Sequence, residues 1–600
     1  MKCKNKNKYS QRFHTTIRAS MYVLRYVWNA DLGKRYIFLK VIQALLNSVF
    51  PIIYTVFPGL IVNELTDRRR LEVILVYTSI IVISPVLSHL INTVINQYTK
   101  KLQLKISLNF DLTFYTHSLQ MDYETFEDPN IQLIKTRSQN TLNNIWKSVN
   151  LIFSFISSLF SFVLILSIVS TLSPLIVCLI LIFMLLNSLI TKKINQKLFE
   201  LDKQGTEYDR HRWGITYMIE QNSYAKEVRL FGIKSLLLDM YEKNQTKTNE
   251  LNLDYQKTQN IPTSFQVVAS FVQQSIIYAY LIYSVIVNSM PVGSMTIYIS
   301  GYTQFTNAIR NMINVYLNMS KNSLNIQEMI DFLHIPLKQY QTGTETPIFD
   351  ENSVIEFRNV SFKYPGSEIY AIRNLNITLR GSEKLCIVGA NGSGKSTFIK
   401  LLTRLYFPTA GEILLNGVNI NNYDYEKYLR LFAPVFQDFV RYYFSLGTNI
   451  ALSTQYDTGK MDSICTQCGL KGLVEKLAHG YDTQVDKWID PEGFEPSGGE
   501  DQRIAIARAC YHSGDIFLLD EPTAALDPVA EYEIYTQFNN MITDKCAVLI
   551  THRLSAVQLA DKVAVFDKGS VAEYGTHKEL YEKGGIYTEM FDKQAQFYRD

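Results

Sequence analysis

The sequence predicts two fold classes in series: an α-helical six-span membrane domain with long intracellular helices, then an α/β domain built around a phosphate-binding loop. Three observations lead there. Apolar runs of about 20 residues recur through the first half, long enough to cross roughly 30 Å of hydrocarbon as helices. Lys and Arg gather on alternate links between those runs. The second half instead carries short apolar strands, one of which runs into a glycine-rich loop and a helix.

Overall composition hides this division. Hydrophobic residues make up 47% of the 600 and charged residues 19%, against roughly 25% charged in soluble proteins. Disorder is excluded, because it needs low hydrophobicity and high net charge. The 28 Gly, 16 Pro and 7 Cys are too few for a collagenous or disulfide-stapled chain. A net charge of +3 gives no argument for nucleic acid as a partner.

The predicted spans are Phe38–Ile61, Val73–Ile95, Leu151–Ser170, Leu175–Leu189, Phe265–Val287 and Val292–Val315. Pro174 separates the third from the fourth, so a tight hairpin is expected there rather than one long helix. Lys2, Lys4, Lys6, Lys8, Arg12, Arg18 and Arg25 precede the first span, Lys100, Lys101 and Lys105 follow the second, and Lys192, Lys193 and Lys197 follow the fourth. This places both termini in the cytoplasm, with the spans in the plasma membrane. Arg68-Arg69-Arg70 opposes the rule, since it falls in an outer link; Glu64, Asp67 and Glu72 are the neighbours that could neutralise it.

Ile17, Met21, Leu24 and Trp28 recur at helical spacing, which suits a helix along the cytoplasmic membrane face, although a packed amphipathic helix has the same pattern. No cleavable signal peptide is expected. The organisation predicted is residues 1–34 as a cytoplasmic N-terminus with an interfacial helix, 35–332 as the membrane domain, 333–352 as a linker and 353–600 as the nucleotide domain. The inner loops run to roughly 50 and 70 residues, a length that loops reach when they have work to do. Their expected tips are His117–Asn130 and Tyr224–Ile233, which should meet something cytoplasmic.

The strand Lys384–Val388 leads into Gly389-Ala390-Asn391-Gly392-Ser393-Gly394-Lys395-Ser396-Thr397 and then a helix. Glycines let backbone N–H groups approach phosphate, and the helix N-terminus adds positive potential. Lys395 would reach the β- and γ-phosphates of ATP, and the Ser396 hydroxyl would ligate Mg²⁺. A second strand, Ile516–Leu519, ends in Asp520-Glu521. Asp520 suits the metal's shell, and Glu521 could polarise an attacking water.

Tyr364, Gln437, Ser497-Gly498-Gly499, Asp520-Glu521, Asp527 and His552 fall in the order seen in ATP-binding cassette (ABC) proteins. With the spans placed first, the chain from about Ile17 onward resembles a half-size ABC exporter. The resemblance implies that Tyr364 stacks on adenine, that Gln437 touches Mg²⁺ and reports nucleotide state, and that Glu521 is the catalytic base. It implies further that His552 contacts the γ-phosphate, that Ser497, Gly498 and Gly499 bind ATP held by the opposite subunit, and that Asp527 couples the two sites. A second copy of the chain is therefore the implied partner, with a heterodimer as the other possibility. Pro496 and Glu500 stand where the family signature has Leu and Gln. Pro496 lacks an N–H donor, and Glu500 adds charge beside an anionic nucleotide.

Cys465-Thr466-Gln467-Cys468 has zinc-like spacing but only His479 near it, so structural cysteines are the expectation. For cargo, Gln266, Ser270, Gln273, Gln274 and Tyr278 in span five and Tyr298, Tyr302, Thr303, Asn307 and Arg310 in span six would form a weakly charged wall suited to an amphipathic peptide. Helix–helix hydrogen bonding would explain the same residues. Phe436–Tyr442 and Ala524–Glu531 look most like bacterial exporters of lantibiotics and related ribosomal peptides. That resemblance implies a separate leader protease and modifying enzymes as partners, because only about 35 residues precede span one. A lipid or drug exporter, and a non-transporting membrane ATPase serving as receptor or channel, are the rival readings.

Overall fold

The computed structural model describes residues 2–599 apart from 171–181, 183–193, 195–196, 199, 202–203, 206–207, 339–342, 522–544, 552–556 and 558–559. The chain divides into two units: Met1–Phe114 with Thr136–Asp331, and Tyr115–Lys135 with Phe332–Asp600. The expected tip His117–Asn130 thus belongs entirely to the second unit.

Helices make the first unit: α1 (Lys2–Asn29), α2 (Gly33–Asn63), α3 (Leu71–Leu119), α5 (Pro129–Ser170), α6 (Asn222–Leu230), α7 (Lys234–Val287) and α8 (Val292–Leu333), with α4 (Tyr123–Glu127) lying in the second unit. Among the described residues, Gly33–Asp67, Leu71–Leu119, Ile145–Ile168 and Val267–Val287 are long and apolar enough to cross a membrane. They carry the first, second, third and fifth predicted spans. The fourth lies outside the described residues, and the sixth falls on the more polar start of α8. With 49 residues in α3 and 54 in α7, each helix exceeds the ~20 residues that a bilayer requires. That surplus matches the long extensions expected from the loop lengths.

Two local features explain departures from simple patterning. Gly59 and Gly293 let α2 and α8 approach so closely that a Cβ on either would overlap the other's backbone. Asn63 fixes the same crossing, its Oδ1 accepting from the Gly293 N–H at 2.8 Å. The charge-rule exception is partly answered by Glu64. Arg70 forks onto its carboxylate, with Nε and Nη2 donating at 2.7 and 3.0 Å, across a π-helical turn Glu64–Arg68. In α1 the buried face is Thr16, Ala19, Val23 and Val27, which leaves Ile17, Met21 and Trp28 exposed.

The second unit holds two sheets. β1 (Val354–Lys363), β2 (Tyr370–Arg380), β4 (Ala410–Leu415) and β5 (Val418–Asn419) form an antiparallel sheet in the order β2-β1-β4-β5. β3 (Lys384–Gly389), β6 (Phe432–Val435), β7 (Ile516–Asp520), β8 (Cys546–Ile550), β9 (Lys562–Asp567) and β10 (Ser570–Gly575) form the other, ordered β10-β9-β3-β8-β7-β6. All its pairings are parallel except the β10 edge. Helices and the antiparallel sheet cover both faces, so β3, β7 and β8 read as unbroken apolar runs instead of alternating ones.

Between the sheets, α9 (Lys395–Leu402) anchors one core through Phe398, which is fully buried. Its ring stacks on Phe357 at 4.7 Å and meets Phe566 edge-on at 5.9 Å. A second core on the other sheet face packs α10 (Gly498–His512) against β6 and β7. Cys465 and Cys468 belong to that core, where burial pushes the Cys465 thiol up to about 11. Among the described residues no group of three or more His, Cys, Asp or Glu could hold a metal there.

Phe398→Ala should lower the unfolding free energy of the second unit by about 3–5 kcal/mol, the usual range for deleting a buried aromatic ring. Thermal unfolding of the detergent-solubilised chain, compared with the milder Phe398→Leu, measures it.

Candidate functional site: the phosphate loop and the groups around it

Parallel strands end on one side of their sheet, and that geometry gathers the site. β3 opens directly into the phosphate loop at Gly389, and β7 ends at Asp520 beside Ile550, the last residue of β8. Gln437 follows β6 next door, exposed. Asp527 and His552 lie outside the described residues.

Loop shape depends on two glycines. At Gly389 a Cβ would overlap the Phe566 carbonyl oxygen, and at Gly394, with φ 107°, it would come 2.8 Å from the Ala371 carbonyl oxygen. Only glycine lets the chain turn this close to β9 and β2. Asn391, Gly392 and Ser396 are exposed, whereas Thr397 is buried. Lys395 is buried and donates to the loop's own carbonyls, Gly389 at 2.8 Å and Ala390 at 3.1 Å. Burial lowers its pKa, while Glu521 and Asp520 act in the opposite sense. Ser393 Oγ is buried with no hydrogen-bond partner among the described residues.

The acidic side of the site is equally constrained. Burial and the neighbouring Glu521 charge push the Asp520 carboxyl up to about 6, against the pull of Lys395. Glu521 adopts φ 47° and donates its N–H to the Ile550 carbonyl at 3.0 Å. That left-handed backbone costs a non-glycine residue of order 1–3 kcal/mol, a cost often seen where a side chain must be aimed. A lysine, exposed loop amides, an orphaned hydroxyl and a half-buried carboxylate pair fit a nucleotide's phosphates and a divalent cation.

Ser497, Gly498 and Gly499 open α10, and Glu500 forms a capping box with Ser497. The Glu500 carboxylate accepts from the Ser497 N–H at 2.8 Å and from its hydroxyl at 2.7 Å. Those hydrogen bonds hold the Glu500 carboxyl below the usual carboxylate range. One turn on, Asp501 pairs with Arg441, and Arg508 donates to the Val440 and Asn449 carbonyls at 3.2 and 2.9 Å. The stretch after Gln437 is thereby tied to α10.

Sequence reasoning missed a cluster on the other side of the loop. Glu127, at the end of α4, accepts from the Tyr406 hydroxyl and faces Lys400 of α9 at 3.5 Å. The Lys400 ammonium lies 5.4–5.5 Å from the ring centroids of Tyr123, Tyr364 and Tyr406. Tyr364 in turn meets Tyr406 edge-on and shares a 3.0 Å hydrogen bond with Thr397 Oγ1. The tip carrying α4 is pinned besides by backbone: His117 Nε2 bonds the Phe332 carbonyl at the end of α8 at 3.0 Å, and Asp122 accepts from the Lys338 N–H of the linker at 3.1 Å. Burial would raise the Glu127 pKa, but hydrogen bonds from Tyr123 and Tyr406, with the Lys400 charge, hold it below its usual range.

The ten residues nominated for the cargo wall do not form one surface. Tyr302 is buried in a cluster with Ile165, Ile277, Leu281, Phe305 and Ile309, and Tyr298 packs against it. Gln273 is also buried, and Thr303 donates to its own helix at Ile299. Tyr278, Asn307 and Arg310 are exposed, Ser270 and Gln274 half-buried. The side chain of Gln266 lies outside the described residues.

A phosphate loop between parallel strands, an acidic strand end and a serine-capped glycine helix, on a chain that begins with membrane-length helices, define a membrane-bound cassette ATPase. Residues 372–524 match the family model for the ABC transporter, and residues 35–309 that for the ABC transporter transmembrane region. The chain is 30% identical over 570 residues to the subtilin transport ATP-binding protein SpaT of Bacillus subtilis, covering 94% of this chain and 92% of that one. It is 29% identical to the nisin transport ATP-binding protein NisT of Lactococcus lactis subsp. lactis, covering 97% of each. An ATP-dependent lipid A-core flippase of Haemophilus influenzae is 31% identical over 332 residues, or 55% of each chain. The fold resembles a bacterial Atm1-family ABC exporter solved with ATP bound, at TM-score 0.81 and 20% identity, covering 94% of this chain and 99% of that one. The protein belongs to the ABC transporter family, a multi-pass membrane protein whose ATP hydrolysis is coupled to transport.

Because the Glu127 pKa is depressed on folding, its contribution is present above the unfolded carboxylate value and lost as pH falls through the folded one. Glu127→Gln should therefore lower the melting temperature at pH 7, and the gap to wild type should narrow only as pH falls below the usual carboxylate range. Melting curves across that range check it.

Proposed function

We propose that this protein exports a ribosomally made peptide, modified or antimicrobial, from the cytoplasm across the plasma membrane by alternating access of a dimer. What carries the reading is extent of match: the proteins named for subtilin and nisin transport align over 94% and 97% of this chain, the lipid A-core flippase over 55%. Lys and Arg placement supports cytoplasmic termini. A separate protease and modifying enzymes would then process the cargo.

Each residue has a proposed part. Lys395 and the Asn391–Gly394 amides hold the phosphates, Tyr364 offers its ring to adenine, and Ser396, Gln437 and Asp520 hold Mg²⁺, which when bound supplies charge neutralisation on the phosphates. Glu521 orients and deprotonates the attacking water, with His552 beside it. Ser497, Gly498 and Gly499 of one copy complete the other copy's site, and Asp527 couples the pair. ATP favours the closed dimer because only that form offers both halves of the site. The two inner tips carry closure to the membrane helices: α4 through Glu127, and α6, whose Leu230 and neighbouring Phe231 are 73% and 75% exposed, through the partner's cassette.

Inside-out vesicles holding the purified chain should accumulate subtilin or nisin with ATP; stimulation by lipid alone would favour a flippase, and ion conductance a channel. Glu521→Gln should still bind ATP but trap the closed dimer and abolish uptake, and normal uptake would remove Glu521 from its role. Glu500 now competes for the Ser497 hydroxyl and N–H, and its charge faces an incoming phosphate. Glu500→Gln, which keeps the cap, should lower the ATP concentration needed for dimer closure about tenfold. Light scattering of an Glu521→Gln background measures it.

A further inference from the structure

Asn307, Asn311, Asn314, Asn318, Asn322 and Asn325 are spaced by four and three residues along α8. That spacing puts six amides on one helix face, a run of about 27 Å at 1.5 Å per residue. An asparagine seam alone could be helix packing. Here the seam faces open space twice within the first unit.

One cavity, of about 530 Å³, is walled by Asn311 of α8, Gln43 and Asn47 of α2, Asn96 of α3, and Asn150 and Ser154 of α5. A second, of about 350 Å³, has Asn322 and Asn325 of α8 facing Asn140 and Ser148 of α5. The first is held in shape by its own amides. Gln43 Nε2 donates to Asn92 and Asn96 Oδ1, both at 2.9 Å, and Asn92 Nδ2 donates to Asn47 Oδ1 at 3.0 Å. Lys40 Nζ donates to Gln43 Oε1 at 3.0 Å and is the one cation on that wall. Asn47, Asn96, Asn150, Ser154 and Asn311 remain exposed to the space.

We infer that this amide track is a binding site for the main chain of an extended polypeptide, an assignment that rests on the peptide reading above. Each carboxamide presents one acceptor and two donors, the complement of a peptide group's N–H and C=O. A track of amides therefore grips a backbone whatever its side chains. Asn311 and Asn325, which line the two cavities, stand about 21 Å apart along α8, the span of roughly six extended residues at 3.3–3.6 Å each. Lipid chains fit poorly, since Ala44, Phe153 and Val315 are the apolar lining of the larger cavity. Gln43, Asn47 and Asn311 lie within the predicted first and sixth spans, where polar groups are costly to keep and persist where they line a path. The site lies on α2, α3, α5 and α8, away from the Tyr- and Gln-rich face of α7.

The test uses the full chain in nanodiscs and a fluorescent ten-residue peptide of alternating Ala and Ser, read by anisotropy. Backbone N-methylation of that peptide should weaken binding at least tenfold on the wild-type protein, and Asn311→Leu or Gln43→Leu should weaken binding of the unmethylated peptide about tenfold. Equal binding of the methylated peptide, or unchanged binding to both variants, would overturn the site while leaving subtilin or nisin uptake by the wild type to support peptide export. Absence of both peptide binding and peptide uptake would overturn the site and the peptide reading together.

Discussion

The nucleotide unit depends on one buried strand. β3 is hydrogen-bonded in parallel to β8 on one side and β9 on the other, so its carboxyl end has a single position. Those two ladders set its register, and at its end Gly389 passes so close to the Phe566 carbonyl oxygen that no other residue fits. The phosphate loop inherits that fixity. Phe398 then locks the first turn of α9 between two sheets, and Lys395 at its start has nowhere to go but back over the loop. Chemistry at Asp520 and Glu521 follows from the same sheet, since β7 and β8 set where those carboxylates stand.

Fixity on one side of α9 gives meaning to contact on the other. Lys400 is one turn beyond Lys395, and its ammonium is shared among Glu127 and three tyrosine rings. Tyr364 is among those rings and is bonded to Thr397, a member of the loop. Thr397 of the loop is thereby joined to the α4 tip through Tyr364 and Lys400. At 3.5 Å and with both side chains partly exposed, the ion pair alone is worth about 1 kcal/mol or less. Tyr406 reinforces it with a hydroxyl hydrogen bond to the same carboxylate.

How much of this was legible in the sequence follows from distance along the chain. The phosphate loop, the acidic strand end and the capped Ser497 helix are local patterns, each decided within about ten residues, and the sequence displays them fully. Membrane-length helices are legible for the same reason, through composition over one window. Glu127 meets Tyr406 across 279 residues, and nothing in the tip's own sequence singles it out. Glu500 was legible as a departure from the family signature, but its effect on Ser497 needed the cap geometry. Polarity alone does not separate the residues of spans five and six: packing buries Tyr302 and Gln273, while Tyr278, Asn307 and Arg310 stay exposed. The asparagine spacing on α8 was present in the sequence, hidden by attention to apolar periodicity rather than polar periodicity.

The α4 tip should read the nucleotide site through Lys400 and Glu127. A double-mutant cycle tests it most directly: Glu127→Gln, Lys400→Met and the pair, scored by cargo-stimulated over basal ATPase in proteoliposomes. If the two side chains act as one link, either single change lowers the stimulation ratio several-fold and the double change lowers it no further. Independent, multiplying losses, or stimulation left intact in the double variant, would contradict the account.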